Sequence, residues 1–162
     1  MNSPLSKPKK HDLGGLIAAI SRHQDDGALG RLEPHHWSVL GDYLNPCVLP
    51  RGHLLISQGA QDRKLYFLEA GSLKVDLKTA AGFVQLAILA PGTVVGEGSF
   101  FSRLTRSSSV AAYSECTVWE LTPTDFTNLS RHHPTVALAL AMALGAILAT
   151  RTLDLSKRLA VT

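Results

Sequence analysis

The stretch Val95-Gly96-Glu97-Gly98-Ser99-Phe100-Phe101, followed after a short interval by Arg106-Ser107-Ser108-Ser109, combines a glycine turn, a carboxylate, one apolar helical turn and an arginine. The turn at Gly96 is predicted to open a short helix, whose first amides lack partners inside the helix and attract an anion. Arg106 adds a planar fork that can hold two oxygens of one anion. The stretch therefore predicts a small anion-binding site, in which Gly98 and Ser99 provide backbone amides.

The sequence around this stretch, from Cys47 to Thr122, consists of brief apolar runs separated by turns that contain glycine. A period of two within such runs predicts β-strands. The strand candidates are Leu54–Ile56, Leu65–Leu68, Leu73–Leu77, Val84–Leu89, Val110–Tyr113 and Thr117–Leu121. Many short strands at this spacing are typical of a sandwich or a rolled barrel, so the fold is predicted to be mainly β with flanking helices.

The N-terminal part is predicted to contribute little to the fold. Residues 1–30 are polar or small and are predicted to form a flexible leader that contains one weak helix over residues 15–23. A short amphipathic helix is predicted over residues 34–44, because apolar residues recur there at helical spacing, namely Trp37, Leu40 and Leu44.

Helices are also predicted after the strands. Thr122-Pro123-Thr124-Asp125 offers an N-cap, a proline at the first helical position and an acid in the first turn, and a helix should run from there to about Arg131. A longer helix, apolar at first and amphipathic later, should follow Pro134. One domain is thus predicted over residues 31–162, with its β region at 46–122 and its C-terminal helices at 123–158.

The stretch from Gly96 to Arg106 resembles the phosphate-binding cassette of cyclic-nucleotide-binding domains, the family of the catabolite activator and of the protein kinase A regulatory subunits. Three further segments resemble the turns of that family's framework, and the resemblance runs from about Leu32 to Leu155; the segments are Ser57–Asp62, Leu65–Leu73 and Leu89–Gly92. The resemblance implies an eight-stranded β-roll or jelly roll (a double-stranded β-helix), with a short phosphate-binding helix and C-terminal helices.

The resemblance also implies a ligand and a role for each site residue. In that family the residue matching Glu97 holds the ribose 2′-hydroxyl, and the arginine matching Arg106 holds the cyclic phosphate. The ligand-binding set that follows is Gly96, Glu97, Gly98, Ser99, Arg106, Ser107, Ser108, Val75, Leu86 and Leu89. Ser107 stands where a threonine often accompanies guanine preference, which favours adenosine 3′,5′-cyclic monophosphate (cAMP) over its guanosine counterpart (cGMP).

The cassette departs from the family pattern at four positions. Gly98 and Ser99 replace a bulky and a small apolar residue, Thr105 replaces a frequent proline, and Ser108 replaces a frequent alanine. Gly98 makes the short helix costlier to order, since glycine loses more backbone freedom than alanine. The departures therefore bear on affinity more than on the identity of the site.

The function that follows is a regulatory sensor, in which a cyclic nucleotide biases the position of the C-terminal helices and so signals to an unidentified protein effector. A homodimer through the last helix is a further partner that the resemblance suggests. Two alternatives stay open: a ligand-free β-roll with a structural or partner-binding role, and a regulatory fragment of a larger channel, kinase or transporter. Direct DNA binding is not expected, because a helix-turn-helix after the long helix does not fit before Thr162.

Charge and cysteine usage bear on other functions. The formal charge of +3 and the pI near 9.0 reflect in part Lys7, Lys9 and Lys10, so a folded basic stripe for nucleic acid is weakly supported. Cys47 and Cys116 lack CxxC spacing, as is ordinary for thiols in a reducing compartment, and a cytoplasmic location is predicted. No membrane span is predicted, because the apolar stretch 136–149 is shorter than the roughly 20 residues that a span needs.

No metal and no catalytic activity are predicted. The pairs His35-His36 and His132-His133 are adjacent in sequence and so face different directions on a helix. A cupin-like metal barrel needs several histidines, and His53 is the only histidine between His36 and His132. The serines after Arg106 lack a nucleophile elbow such as GxSxG.

Overall fold

A computed structural model describes residues 11–23 and 27–160, with side chains up to Lys157. Eight β-strands form the body of the protein: β1 (Asn45–Leu49), β2 (Leu54–Ile56), β3 (Leu65–Ala70), β4 (Leu73–Thr79), β5 (Gly82–Leu89), β6 (Val94–Val95), β7 (Ser109–Ala112) and β8 (Cys116–Leu121). They build two four-stranded sheets, ordered β1-β8-β3-β6 and β2-β7-β4-β5, in which the paired strands are antiparallel. The predicted eight-stranded β-roll is confirmed.

The connection from β6 to β7 crosses from the first sheet to the second. It contains α3 (Glu97–Ser102), the short helix that the sequence predicts after Gly96. Every connection of the roll except that between β4 and β5 crosses in this way. The candidate cassette is therefore part of a crossover between the sheets and not of a hairpin within one sheet.

The described part of the N-terminal region does not behave as the predicted flexible leader. Residues Gly14–Arg22 form α1, close to the helix predicted over residues 15–23, and three of its apolar residues and the preceding Leu13 are buried against the roll; the three are Leu16, Ala19 and Ile20. Two glycines at its start permit close packing, since a Cβ on Gly15 would lie 2.7 Å from Glu69 Oε1. The leader prediction is therefore wrong for these residues, whereas residues 1–10 and 24–26 lie outside the described residues.

A 3-10 helix (Leu29–Arg31) and α2 (Pro34–Leu40) complete the N-terminal side. Helix α2 starts at the predicted proline and ends four residues before the predicted end, where Gly41 to Tyr43 form turns. Trp37 and Leu40 are buried, as their helical spacing suggested.

Two helices follow the roll, α4 (Pro123–His132) and α5 (Pro134–Ala160). Thr122 Oγ1 accepts a hydrogen bond from the Asp125 amide at 3.0 Å, which is the predicted N-cap. The first half of α5 joins the same hydrophobic core as Trp37, Phe67 and Trp119, through residues that include Val136, Leu140, Leu144 and Ile147.

Helix α5 also requires a correction to the predicted length of its apolar segment. The segment Pro134–Lys157 has 24 residues and a mean hydropathy of 1.9, so by length and composition alone it could cross a membrane. A third of the apolar window is buried inside the protein. Packing on the β-roll accounts for that buried part.

Replacing Leu16 with alanine tests whether α1 is part of the core. Leu16 is fully buried (0% exposed), so its truncation should lower the free energy of unfolding by about 2–5 kcal/mol. Ile17→Ala on the same helix is the matched control, since Ile17 is 38% exposed and should cost about 0.5 kcal/mol or less. Urea denaturation followed by circular dichroism measures both, and equally small losses would restore the leader interpretation.

Candidate functional site

A cavity of about 440 Å³ lies between the second sheet, α3 and α5. Strands and cassette supply most of its wall, and two residues come from the last helix; the lining is Ile56, Val75, Ala87, Leu89, Val95, Gly96, Glu97, Gly98, Ser99, Arg106, Ser107, Ser108, Val110, Leu148 and Arg151. Its volume falls in the range of roughly 300–1,000 Å³ that is usual for small-molecule sites. An apolar floor thus meets a polar end formed by the cassette.

The structure brings all the residues of the predicted ligand-binding set to this cavity except Leu86. Leu86 lies outside the lining and is 52% exposed. Strand alternation explains the difference, because Ala87 and Leu89 share one face of β5, whereas Leu86 and Ile88 lie on the other, exposed face. Ala87 lines the cavity instead.

Gly96 occupies a position that only glycine can fill. Its φ is +91°, in the left-handed region, and it caps the N-terminus of α3. A Cβ there would lie 2.6 Å from the Lys64 carbonyl oxygen and 2.8 Å from Arg106 Nη1. The missing side chain therefore lets the turn approach the arginine closely.

Arg106 is a buried cation, only 3% exposed. Its Nε and Nη2 donate to the two carboxylate oxygens of Asp62, at 3.2 and 2.6 Å. Its Nη2 also donates to the Lys64 carbonyl at 2.6 Å, and its Nη1 donates to the Gly96 carbonyl at 3.1 Å. These four bonds use four of the five N–H donors of a guanidinium, so among the described residues one N–H of Nη1 has no protein acceptor.

Asp62 is a site component that the sequence did not single out. It lies in the turn before β3 and is absent from the cavity lining, so it holds the arginine from outside the cavity. The hydrogen bond from Arg106 lowers the pKa of the Asp62 carboxyl, which keeps this carboxylate ionised at neutral pH. Asp62 lies within the predicted framework turn 57–62, but its partner Arg106 is distant in sequence, so the pairing could not be predicted from the turn.

Glu97 is paired with the last helix. Arg151 Nη1 donates to Glu97 Oε1 at 2.5 Å, and Arg151 Nη2 donates to the Val94 carbonyl at 3.0 Å. The Glu97 side chain is 12% exposed, so the pair is partly shielded from water. Sequence analysis gave Arg151 no role at the site; its signal was its place as the first cation after the long apolar run of α5.

Helix α3 also contacts α4 through aromatic rings. Phe100 is buried and meets Phe126 edge to face, with ring centroids 5.2 Å apart. The next residue, Phe101, is 41% exposed. The cassette is therefore in contact with both C-terminal helices, with α4 through Phe100 and with α5 through Glu97.

One group of three described side chains is close enough to hold a metal ion, and it consists of Glu33, His35 and His36. The Glu33 amide donates to His36 Nδ1 at 2.9 Å, and His35 Nδ1 lies 3.3 Å from Glu33 Oε2. The contact between the Glu33 amide and His36 belongs to the capping box of α2, whereas His35 and Glu33 form an exposed side-chain pair. Because one nitrogen of His36 already serves the cap, helix capping accounts for this cluster.

The model of the cyclic nucleotide-binding domain family matches residues 46–133. The chain belongs to this family. The matched segment includes the whole β-roll except its first residue, the cassette and α4. The matched segment also contains the cavity residues Gly96, Glu97 and Arg106.

Two curated relatives match part of the chain. Glutaminase 2 of Bradyrhizobium diazoefficiens is 38% identical over 100 residues, covering 62% of this chain and 15% of that protein. The cyclic AMP receptor protein of Thermus thermophilus is 29% identical over 126 residues, covering 76% of this chain and 58% of that protein. The chain thus spans less than two thirds of the length of either relative.

The fold is shared with a solved cyclic nucleotide-binding domain from Methylobacillus flagellatus. The TM-score is 0.78 at 19% sequence identity, and the alignment covers 91% of this chain and 83% of that one. At this identity the likeness establishes the architecture alone, including the helices that flank the roll.

Replacing Asp62 with asparagine tests the buried pair. The unfolding free energy at pH 7 should fall by about 1–2 kcal/mol, because Arg106 loses a charged partner that is itself partly exposed. Since Arg106 lowers the pKa of Asp62 in the folded state, this stabilisation is present above the ordinary carboxyl pKa of about 3.9 and fades as the pH falls through the lower folded value.

The measurement is urea denaturation of wild type and Asp62→Asn between pH 7 and pH 2.5. The difference between the two proteins should shrink below about pH 4. Asp76→Asn is the matched control, because Asp76 makes a single ion pair, at 3.2 Å with Lys74, whose side chain is 36% exposed, and should contribute about 1 kcal/mol or less. A pH-independent difference at Asp62 would contradict the assignment.

Proposed function

We propose that this domain is a regulatory sensor that binds a cyclic nucleotide monophosphate in the 440 Å³ cavity and signals through its C-terminal helices. The observation that carries the proposal is the convergence, on one cavity, of the α3 amides, the Arg106 guanidinium and the Glu97 carboxylate, with Arg151 of α5 bound to that carboxylate. A ligand bound in this cavity would contact both the anion-binding groups and α5, the helix proposed to respond to the ligand.

The donors at the polar end suit an ester that carries a single negative charge. The amides at the start of α3 and the remaining Nη1 N–H of Arg106 face an anion. Asp62 already neutralises much of the Arg106 charge, and Glu97 repels further negative charge nearby. A cyclic phosphodiester, which carries one negative charge, should therefore bind better than the dianionic phosphate of a linear nucleotide.

The sugar and base have partners of matching chemistry. Glu97 is an acceptor for a ribose hydroxyl, and the apolar wall near Val75, Ala87 and Leu89 can cover a purine. Ser107 at the position after Arg106 favours adenine, so we propose cAMP as the preferred ligand over cGMP. A ligand of mononucleotide size is proposed, with no metal.

The pair between Glu97 and Arg151 gives a route for the signal. If a ribose hydroxyl donates to Glu97, it competes with Arg151 for the same carboxylate, so ligand binding changes the free energy that holds α5 to α3. By linkage, the position of α5 then changes the affinity for the nucleotide by the same factor. The second contact, Phe100 on Phe126, couples α4 to the same short helix.

The outer face of α5 suits a second copy of the chain. Leu138, Met142, Gly145 and Ala149 are exposed and recur at spacings of four, three and four residues, the pattern of a helix–helix seam. We infer a homodimer through this face, which sedimentation of the purified protein measures. A cytoplasmic location is consistent with the free thiols of Cys47 and Cys116.

One observation favours the ligand-free alternative, in which the roll serves only as a structural or partner-binding domain. Asp62 and two carbonyls occupy most of the Arg106 donors, so the arginine has internal partners in the absence of an anion. Both hypotheses predict that the protein is folded without ligand. Only the sensor hypothesis predicts that it binds a cyclic nucleotide.

Isothermal titration with cAMP, cGMP, a cyclic dinucleotide and linear 5′-AMP tests the sensor hypothesis. We expect cAMP to bind more tightly than cGMP and the other two to bind weakly. Arg106→Ala is a poor test, because it removes four internal hydrogen bonds and destabilises the fold. Absence of heat with every nucleotide would favour the ligand-free alternative.

The contact with ribose is tested by combining Glu97→Gln with 2′-deoxy-cAMP. Wild type should lose about tenfold or more in affinity when the hydroxyl is absent, the usual effect of a hydrogen bond to a charged group. In Glu97→Gln most of that difference should vanish, because both changes remove the same bond. If wild type and Glu97→Gln lost equal affinity when the 2′-hydroxyl is absent, the hydroxyl would not contact Glu97.

Replacing Arg151 with glutamine tests the route to α5. In the ligand-free protein the amides after Leu148 should exchange hydrogen roughly threefold to tenfold faster, since a partly shielded charged pair is lost. Amides of residues 136–147, which pack in the core, should not change. Lys157→Gln is the control for loss of charge on the same helix, and an equal effect there would contradict the route.

A further inference from the structure

Arg103, at the C-terminus of α3, has an unfavourable backbone conformation. Its φ is +61° and its ψ is 10°, and it is the only non-glycine residue with positive φ among those that the structure describes. A side chain in this left-handed region brings Cβ close to the following carbonyl. Glycine is the usual residue at such a helix end, so arginine here raises the free energy of the folded helix.

Gly98, inside α3, also lowers the stability of this helix. It lies in the first turn of α3, where its backbone is in the ordinary helical region, and a Cβ built there meets nothing within 4 Å. No protein atom therefore requires a glycine at this position, which lines the cavity, and glycine in a helix is less favourable than alanine. The helix thus has a glycine where alanine is preferred and an arginine where glycine is preferred.

Other contacts of α3 provide limited compensation. Its N-terminus has no side-chain cap. At the other end Arg63 Nη2 donates to the Phe100 carbonyl at 2.9 Å, while Arg63 Nε is buried and has no partner. The packing of Phe100 and the pair between Glu97 and Arg151 are then the main interactions that hold the helix, and an anion at its first amides would add a third.

We propose that Arg103, a residue outside the cavity, sets the nucleotide affinity of this domain by keeping α3 partly unformed when no ligand is bound. The inference rests on the proposed function. The nucleotide binds the formed helix, so the apparent dissociation constant equals the intrinsic one divided by the formed fraction. A substitution that favours the formed helix must then tighten binding without touching the ligand.

The test compares Arg103→Gly with Arg103→Ala, which both lack the charge and differ in tolerance of positive φ. Relative to Arg103→Ala, the glycine variant should show about fivefold slower hydrogen exchange of the α3 amides in the ligand-free protein and about fivefold tighter cAMP binding. Ser102→Gly, which adds a glycine at a helical position, should shift both quantities the other way.

Each outcome decides the inference. The inference would be overturned if the α3 amides exchanged hydrogen equally fast in Arg103→Gly and Arg103→Ala. A difference in this exchange without a difference in cAMP affinity would also overturn it. If no variant binds any nucleotide, the proposed function fails, while exchange in the ligand-free variants still shows whether Arg103 limits the order of α3. Wild-type α3 amides that exchange as slowly as those of α4 would also contradict the inference.

Discussion

The buried guanidinium of Arg106 is the constraint on which the site depends. A charge removed from water must be compensated by partners, and here they come from the turn before β3, through Asp62 and the Lys64 carbonyl, and from the turn before α3, through the Gly96 carbonyl. Three segments distant in sequence therefore meet at one side chain. The absence of a Cβ at Gly96 is a consequence, since any side chain there would collide with this cluster.

The same cluster explains how an anion site can remain folded while empty. An arginine that had only the ligand as partner would be a buried, uncompensated cation in the free protein. Asp62 removes that penalty, but it also reduces the donors and the net charge available to a ligand. In the proposed sensor, this one pair of side chains therefore raises the stability of the protein without ligand and lowers its affinity for the ligand.

Local sequence signals predicted the strands, turns and helices that form the site, whereas the side-chain partners within the site depend on contacts between distant segments. Turn glycines, strand periodicity and the Thr122 cap act within a few residues, so the roll and the cassette could be predicted. The inclusion of Leu86 with Leu89 was an error that the local pattern could have avoided, because residues three apart in a strand face opposite sides of the sheet. Asp62 and Arg151 find their partners 44 and 54 residues away, which no local pattern reveals. The α1 helix was predicted over residues 15–23, but its burial was missed, because its apolar face is stabilising only where it packs against the sheet.

The burial along α5 limits where a signal can leave the domain. From Val136 to Ile147 the inward residues belong to the main core, so this half can move only if that core is disrupted. Beyond Ala149 the described residues are exposed, apart from the partly buried Arg151. The distal half of α5 is therefore attached to the roll chiefly by the contacts of Leu148 and Arg151 at the cavity. In the proposed sensor, a ligand that competes for the Glu97 carboxylate therefore acts on the part of α5 that lies outside the main core.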